Sequence, residues 1–213
     1  MTKYKCVIFD CDGVLVDSEP LSNGMLVTMA NALGLNLDLE YAYKHFKGNS
    51  LKNCMLQIEA LLGHDLPSSF EHDFRKASFE LFRSEIQPVP GIKEVLDDLS
   101  IPFCVASSGP EHKIKLNLEL TGLLDYFEDT IFSCYRINKW KPEPDVFIWA
   151  AQTMGFVPEE CIVIEDSTLG VQAARSGGFD VFGYAAHDYN NELGKESTNT
   201  FKDMSNLISL INS

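Results

Sequence analysis

The chain carries little positive charge and has no long apolar stretch. Its 213 residues include 17 Lys and Arg against 31 Asp and Glu, which gives a formal net charge of −14. This balance argues against a nucleic-acid partner, because binding to a phosphate backbone depends on clustered Lys and Arg. No apolar run approaches membrane-spanning length, and residues 1–5 lead into a strand-like run rather than a secretory leader. We therefore expect a cytoplasmic protein with no membrane partner.

Cysteine and histidine also lack the spacing of a metal or redox motif. The six cysteines never form a C-x-x-C pair, and several lie inside apolar runs where free thiols usually pack. The five histidines show no spacing that suggests a metal site or a catalytic triad. We expect reduced, structural cysteines. The acidic surface favours solubility and suggests no protein partner, so a monomer is the default expectation.

Short apolar runs alternate with amphipathic stretches in the second half of the chain. The runs at 102–106, 130–132, 161–164 and 180–184 are continuously hydrophobic, as strands covered on both faces should be. Helical patterns separate them at 92–99, 111–120, 145–154 and 168–175. This alternation predicts an α/β fold with a doubly wound, Rossmann-like parallel sheet and right-handed crossovers.

The hydrophobic pattern of the sequence is different between about residues 20 and 85. This part has no β-rich run, and helical patterns cover 21–33, 39–46, 51–62 and 70–82. We interpret it as a small all-helical domain at 19–85, inserted after the first strand, with an α/β core formed by 1–18 and 86–213. The polar segment 187–200 is predicted to be a mobile loop.

Two aspartates, Asp10 and Asp12, follow the first apolar run. Side chains two apart on an extended backbone share a face, so both carboxylates would lie at the rim of a core sheet. Such close like charges need a cation, a shared proton or both. One interpretation is an ordinary Asp/Gly turn, and another is a calcium loop, although Ile8 would hold its first ligand position. The third is a nucleophilic aspartate that forms an aspartyl-phosphate.

Residues suited to binding or catalysis also lie at or near the ends of the other predicted strands. Ligands of open α/β sheets bind beyond the carboxyl ends of the strands. The residues directly after these strands are Ser107, Ser108, Gly109, Glu165 and Asp166, and Lys141 lies near the third of the predicted strands. Each has an ordinary explanation on its own, as a capping turn, an exposed lysine or the acidic start of a helix. Together, at successive strand ends, they predict one functional site.

In this order and at this spacing, the residues resemble the four motifs of the haloacid dehalogenase superfamily of phosphohydrolases. Asp10-x-Asp12-Gly13 looks like the first motif, Ser107 the second, Lys141 in Lys-Pro-x-Pro-Asp the third, and Glu165-Asp166 the fourth. The helical insertion is similar to the family's small cap domain, in the branch of β-phosphoglucomutases and sugar-phosphate phosphatases. Residues 46–48 and 140–144 look most like the 6-phosphogluconate phosphatases.

The resemblance implies a phosphatase that hydrolyses a small sugar or sugar-acid phosphate through an aspartyl-phosphate. Asp10 would be the nucleophile, and Asp12 would protonate the leaving oxygen and later activate water. Ser107 and Lys141 would bind the transferring phosphoryl group. Magnesium would take its oxygen ligands from the first and fourth motifs: Asp10, the Asp12 backbone carbonyl, Glu165 and Asp166.

By the same resemblance, substrate-binding residues lie in a cap loop and after the second strand: Lys47, Gly48, Asn49, Ser108 and Gly109. Lys47 would suit a second anionic group such as a carboxylate, and a solvated helix end is its ordinary explanation. The β-phosphoglucomutases carry a histidine where this chain has Ser22. We therefore expect a phosphatase, with a phosphosugar mutase as the alternative. A non-catalytic module that binds phosphate or metal is the second alternative.

Overall fold

The computed structural model describes residues 3–47, 49–188 and 191–213. The chain divides into two compact units: Met1–Val16 with Gln87–Ser213, and Asp17–Ile86. The strands are β1 (Cys6–Phe9), β2 (Phe103–Ser107), β3 (Ile131–Ser133), β4 (Cys161–Glu165), β5 (Asp180–Tyr184) and β6 (Asn199–Phe201). The α-helices are α1 (Glu19–Ala32), α2 (Leu39–His45), α3 (Leu51–Leu62), α4 (Phe70–Glu85), α5 (Ile92–Asp98), α6 (Glu111–Leu120), α7 (Cys134–Ile137), α8 (Asp145–Met154), α9 (Thr168–Ser176) and α10 (Leu207–Ile211).

The first unit is built on one parallel sheet with the strand order β3-β2-β1-β4-β5-β6. From β1 the strand order proceeds through β2 and β3 to one edge of the sheet, and through β4, β5 and β6 to the other. The sheet is therefore doubly wound, as predicted. All five neighbouring pairs are parallel. The carboxyl ends of β1, β2 and β4 therefore meet at one edge of the sheet.

Apolar side chains cover both faces of this sheet. Ile8 lies in register with Cys104 and Val163, and these residues form one core with Phe147 of α8 and Val171 of α9. On the opposite face, the ring of Phe9 packs edge-on against Phe103, with centroids 6.2 Å apart, and Phe103 packs on Phe127 at 5.4 Å. Burial on both faces explains the continuously apolar strands and fixes the position of each strand end.

The sixth strand was not predicted. The polar composition of 187–200 predicts a mobile loop, but a short 3-10 helix at Leu193–Lys195 lies within this segment and β6 begins in it. Tyr184 of β5 pairs with Phe201, which is buried at the edge of the sheet. Two residues of the segment, 189 and 190, lie outside the described ranges. The prediction of a loop up to residue 200 is therefore wrong at its carboxyl end.

The helical unit contains α1 to α4 and has a core of its own. The core includes Leu26 and Ala30 of α1, Ile58 of α3, and Phe70 and Phe74 of α4. The helix starts are defined by local hydrogen bonds, since the Asp38 carboxylate caps α2 and the Ser50 hydroxyl caps α3. The described residues of this unit form helices and no strand, as the sequence predicts.

All six cysteines are free and buried, which agrees with a packing role. Of the helices in the described ranges, none combines the length and the hydropathy needed to cross a bilayer.

Candidate active site

Asp10 lies directly after β1, and its backbone N–H donates to the carbonyl oxygen of Ile164 on β4 at 2.9 Å. Its side chain is buried. The chain then turns back at Gly13, which has φ 82° and donates its N–H to the Val16 carbonyl oxygen at 2.8 Å. A Cβ at Gly13 would lie 2.3 Å from Asp166 Oδ2. Glycine is therefore required both by the turn and by the close approach of this loop to Asp166.

Lys141 connects the ends of the first and fourth strands. Its Nζ lies 2.6 Å from Asp10 Oδ1 and 2.6 Å from Glu165 Oε1. The lysine side chain is only 5% exposed and contacts the face of the Phe147 ring, 4.7 Å from its centroid. A buried ammonium with two carboxylate partners has little freedom to move, so Lys141 supplies a fixed positive charge beside Asp10.

Burial and close charges shift the pKa values of Asp10 and Lys141. Burial raises the pKa of Asp10 well above the usual range; Lys141 opposes this rise, and the carboxylates of Glu165 and Asp166 add to it. Burial by itself would lower the pKa of Lys141, but Asp10 and Glu165 outweigh it, so that pKa is raised. With three carboxyl groups and one ammonium, the cluster needs a proton on Asp10 or a bound cation to offset the repulsion between its carboxylates.

Glu165 ends β4, and Asp166 follows it; the two residues are 1% and 5% exposed. Glu165 Oε2 accepts hydrogen bonds from the Ser167 backbone N–H at 2.7 Å and from its hydroxyl at 2.9 Å. A Cβ at Gly170, in the first turn of α9, would lie 1.8 Å from Glu165 Oε1. The start of α9 thus leaves space for the Glu165 carboxylate and holds it in place.

Three carboxylates of this cluster can share one cation. Oxygen atoms of Asp10, Glu165 and Asp166 lie within 4.8 Å of one another, and all three residues are buried. Hard divalent cations such as Mg²⁺ prefer oxygen ligands of this kind. The donor set therefore fits the cation that the resemblance implies.

The loop after β2 approaches the same edge. Ser107 is the last residue of β2 and is 1% exposed, and its hydroxyl oxygen accepts from the Gly109 N–H at 3.1 Å. The Ser133 hydroxyl donates to the Gly109 carbonyl oxygen at 2.6 Å. A Cβ at Gly109 would lie 3.8 Å from Asp12 Oδ2, whereas the adjacent Ser108 is exposed. The structure thus places this loop beside Asp12.

Two residues of α6 that were not predicted from the sequence contact Asp12. Lys113 Nζ lies 2.7 Å from Asp12 Oδ2, and Asn117 Nδ2 donates to Asp12 Oδ1 at 3.3 Å. Lys113 and Asn117 are four residues apart, so they share one helix face. This spacing was the only signal in the sequence, and it does not say which face of α6 meets Asp12.

The other predicted substrate residues belong to the helical unit. Lys47 and Asn49 lie between α2 and α3, and both are partly exposed. The Lys47 backbone N–H donates to the Ala42 carbonyl oxygen at 3.1 Å, and Asn49 Nδ2 donates to the His45 carbonyl oxygen at 2.9 Å. Gly48 lies outside the described residues. Substrate binding by these three residues stays a prediction.

Comparison with known proteins gives the same family. The model of the haloacid dehalogenase-like hydrolases matches residues 4–178. The 6-phosphogluconate phosphatase of Escherichia coli strain K12 is 35% identical over 97% of this chain and 94% of its own. A phosphatase of phosphorylated carbohydrates from Thermotoga maritima is 27% identical over 88% of each protein.

A solved structure supports the assignment. The crystal structure of a haloacid dehalogenase-like protein of unknown function from Agrobacterium tumefaciens is 28% identical and has a TM-score of 0.91, covering 98% of this chain and 97% of that one. The family match spans the strand ends that carry the acidic cluster and Lys141. The predicted resemblance is confirmed: the chain belongs to the haloacid dehalogenase-like hydrolases and is a phosphoric monoester hydrolase.

Proposed function

We propose that this protein is a Mg²⁺-dependent phosphatase that hydrolyses a small sugar or sugar-acid phosphate through a phosphorylated Asp10. The observation that carries the proposal is the position of Lys141, 2.6 Å from both Asp10 and Glu165 in a cluster that includes Asp166. A nucleophilic carboxylate, a fixed cation and further oxygen ligands suit attack on a phosphate ester.

In the first step, an oxygen of Asp10 attacks the phosphorus atom and the bond from phosphorus to the ester oxygen breaks. Asp12 gives its proton to the departing oxygen, so an alcohol leaves and Asp10 becomes an aspartyl-phosphate. In the second step, Asp12 takes a proton from water as the water oxygen attacks the same phosphorus atom. The bond between phosphorus and Asp10 then breaks, which releases inorganic phosphate and restores the Asp10 carboxylate.

The remaining residues bind and orient the phosphoryl group. The Lys141 ammonium attracts its oxygens, and the Ser107 hydroxyl donates a hydrogen bond to one of them. Magnesium, held by Asp10, Glu165, Asp166 and the Asp12 backbone carbonyl, would reduce the repulsion between the Asp10 carboxylate and the phosphate dianion.

The substrate class is proposed from the relatives, because the roles proposed for the core residues concern only the phosphoryl group. One relative is named for 6-phosphogluconate and another for phosphorylated carbohydrates. Lys47 offers a positive charge for a carboxylate, and such a group distinguishes a sugar-acid phosphate from a neutral sugar phosphate. We therefore place 6-phosphogluconate first among the substrates to test.

The test is phosphate release with Mg²⁺ from a panel that contains 6-phosphogluconate, glucose 6-phosphate and β-glucose 1-phosphate, with Asp10→Asn as the control variant. We expect release from one or a few of these esters and no release by the variant. Conversion of β-glucose 1-phosphate to glucose 6-phosphate without free phosphate would instead indicate a mutase. If no ester is turned over, the remaining hypothesis is a non-catalytic module that binds phosphate or metal.

A further inference from the structure

Both carboxylate oxygens of Asp12 are bound by side chains of one helix. Lys113 Nζ contacts Oδ2 at 2.7 Å, and Asn117 Nδ2 donates to Oδ1 at 3.3 Å. The Lys113 and Asp12 side chains are 20% and 19% exposed, and Asn117 is fully buried. Asp12 is therefore oriented by α6, whereas Asp10 is oriented by Lys141.

We propose that Lys113 and Asn117 are positioning residues that fix the direction of the Asp12 carboxylate for proton transfer. The inference rests on the proposed role of Asp12 as acid and base. An aspartate side chain rotates about two bonds, and proton transfer needs one orientation towards the departing oxygen. Contacts to both oxygens from one helix restrict these rotations before substrate binds, so the orientation is established in advance.

Lys113 and Asn117 both place donors against oxygens of Asp12, and such contacts favour the ionised carboxylate. This is the form of Asp12 after it has given its proton to the leaving oxygen and before it takes a proton from water. The same two contacts therefore serve both half-reactions. Neither contact involves Asp10, Glu165 or Asp166, so their loss should affect proton transfer and not the attack of Asp10.

This separation can be tested by changing the leaving group. Phenyl phosphate and 4-nitrophenyl phosphate have nearly the same size, but phenolate needs protonation as it leaves and 4-nitrophenolate needs much less. Because the phenol is released in the first step, kcat/KM for both esters reports phosphoryl transfer to Asp10. These esters also make the test independent of the natural sugar substrate.

For Lys113→Met we expect kcat/KM to fall about 10- to 100-fold with phenyl phosphate and about 3-fold or less with 4-nitrophenyl phosphate. Lys113→Arg should recover part of the loss, because it keeps a charged donor. The matched control is Lys115→Met on the same helix, where the lysine is 49% exposed and paired with Glu111 at 2.7 Å. It should leave both values unchanged.

Equal losses with the two esters, or no loss, would overturn the inference. If Lys113→Met does not fold, as judged by thermal unfolding, Asn117→Ala supplies the same comparison with the same expectation. The variant Asp12→Asn distinguishes failure of the positioning role from failure of the proposed acid–base role of Asp12. A larger loss of kcat/KM with phenyl phosphate than with 4-nitrophenyl phosphate in Asp12→Asn, but not in the α6 variants, refutes only the positioning role. If Asp12→Asn itself shows no such difference, the proposed role of Asp12 is refuted.

Discussion

The α/β unit and the helical unit hold their candidate functional residues in different ways. Asp10, Glu165 and Asp166 are buried together at the ends of β1 and β4, and the buried Lys141, which follows α7, contacts Asp10 and Glu165. The candidate substrate residues of the helical unit lie in the connection between α2 and α3 and are partly exposed. A rigid sheet edge suits a reaction whose geometry must not vary, and a loop can change in sequence without disturbing a core.

After the loss of Asp10 itself, the largest effect on activity should come from Lys141, because it supplies a fixed positive charge beside Asp10. We expect Lys141→Met to lower kcat/KM at least about 100-fold, since it removes a charge that stabilises the transferring phosphoryl group. The measurement is phosphate release at saturating Mg²⁺, with circular dichroism to check the fold. The control is Lys139→Met, where the lysine is 54% exposed and pairs with Asp145. A similar loss in both variants would show that local folding, and not this charge, is responsible.

A pair of glycine substitutions compares the two units directly. A Cβ at Gly170 would lie 1.8 Å from Glu165 Oε1, so we expect Gly170→Ala to destabilise the protein by about 1–3 kcal/mol and to reduce activity. In α1, a Cβ at Gly24 would meet only Leu39 Cδ2, at 3.9 Å. Gly24→Ala should therefore stabilise its helix by about 0.5–1 kcal/mol.

Chemical unfolding measures both glycine effects. Opposite signs of the change in free energy of unfolding would support the comparison. Stabilisation by Gly170→Ala with full activity would mean that the approach of α9 to Glu165 does not constrain the site.

The smallest effect on activity should come from the helical unit. We expect Lys47→Met to raise KM for 6-phosphogluconate about 10-fold, the value of one ordinary charge-assisted contact, and to leave KM for 4-nitrophenyl phosphate unchanged. The matched control is Lys44→Met, an exposed lysine in the last turn of α2. If KM for 6-phosphogluconate does not change, or if both variants change it equally, Lys47 does not select the carboxylate.

The sequence predicted the α/β fold because the strands are continuously apolar and the helices between them are amphipathic. The proximity of Asp10, Glu165 and Asp166 could be predicted because the carboxyl ends of the paired strands β1 and β4 meet at one edge. Lys141 follows α7, and its place in the predicted site depended on the resemblance to the third motif. β6 was missed because only Phe201 of its three residues is buried. Lys113 and Asn117 were missed because the face of α6 that meets Asp12 depends on how the helix packs on the sheet.

The central claim is that Asp10 becomes phosphorylated during turnover. The most direct test quenches the wild-type enzyme in acid while it hydrolyses 4-nitrophenyl phosphate with Mg²⁺, then maps the phosphoryl group on its peptides by mass spectrometry. We predict a hydroxylamine-sensitive phosphoryl group on Asp10, absent from Asp10→Asn. Turnover with the phosphoryl group on another residue, or undiminished turnover by Asp10→Asn, would contradict the account.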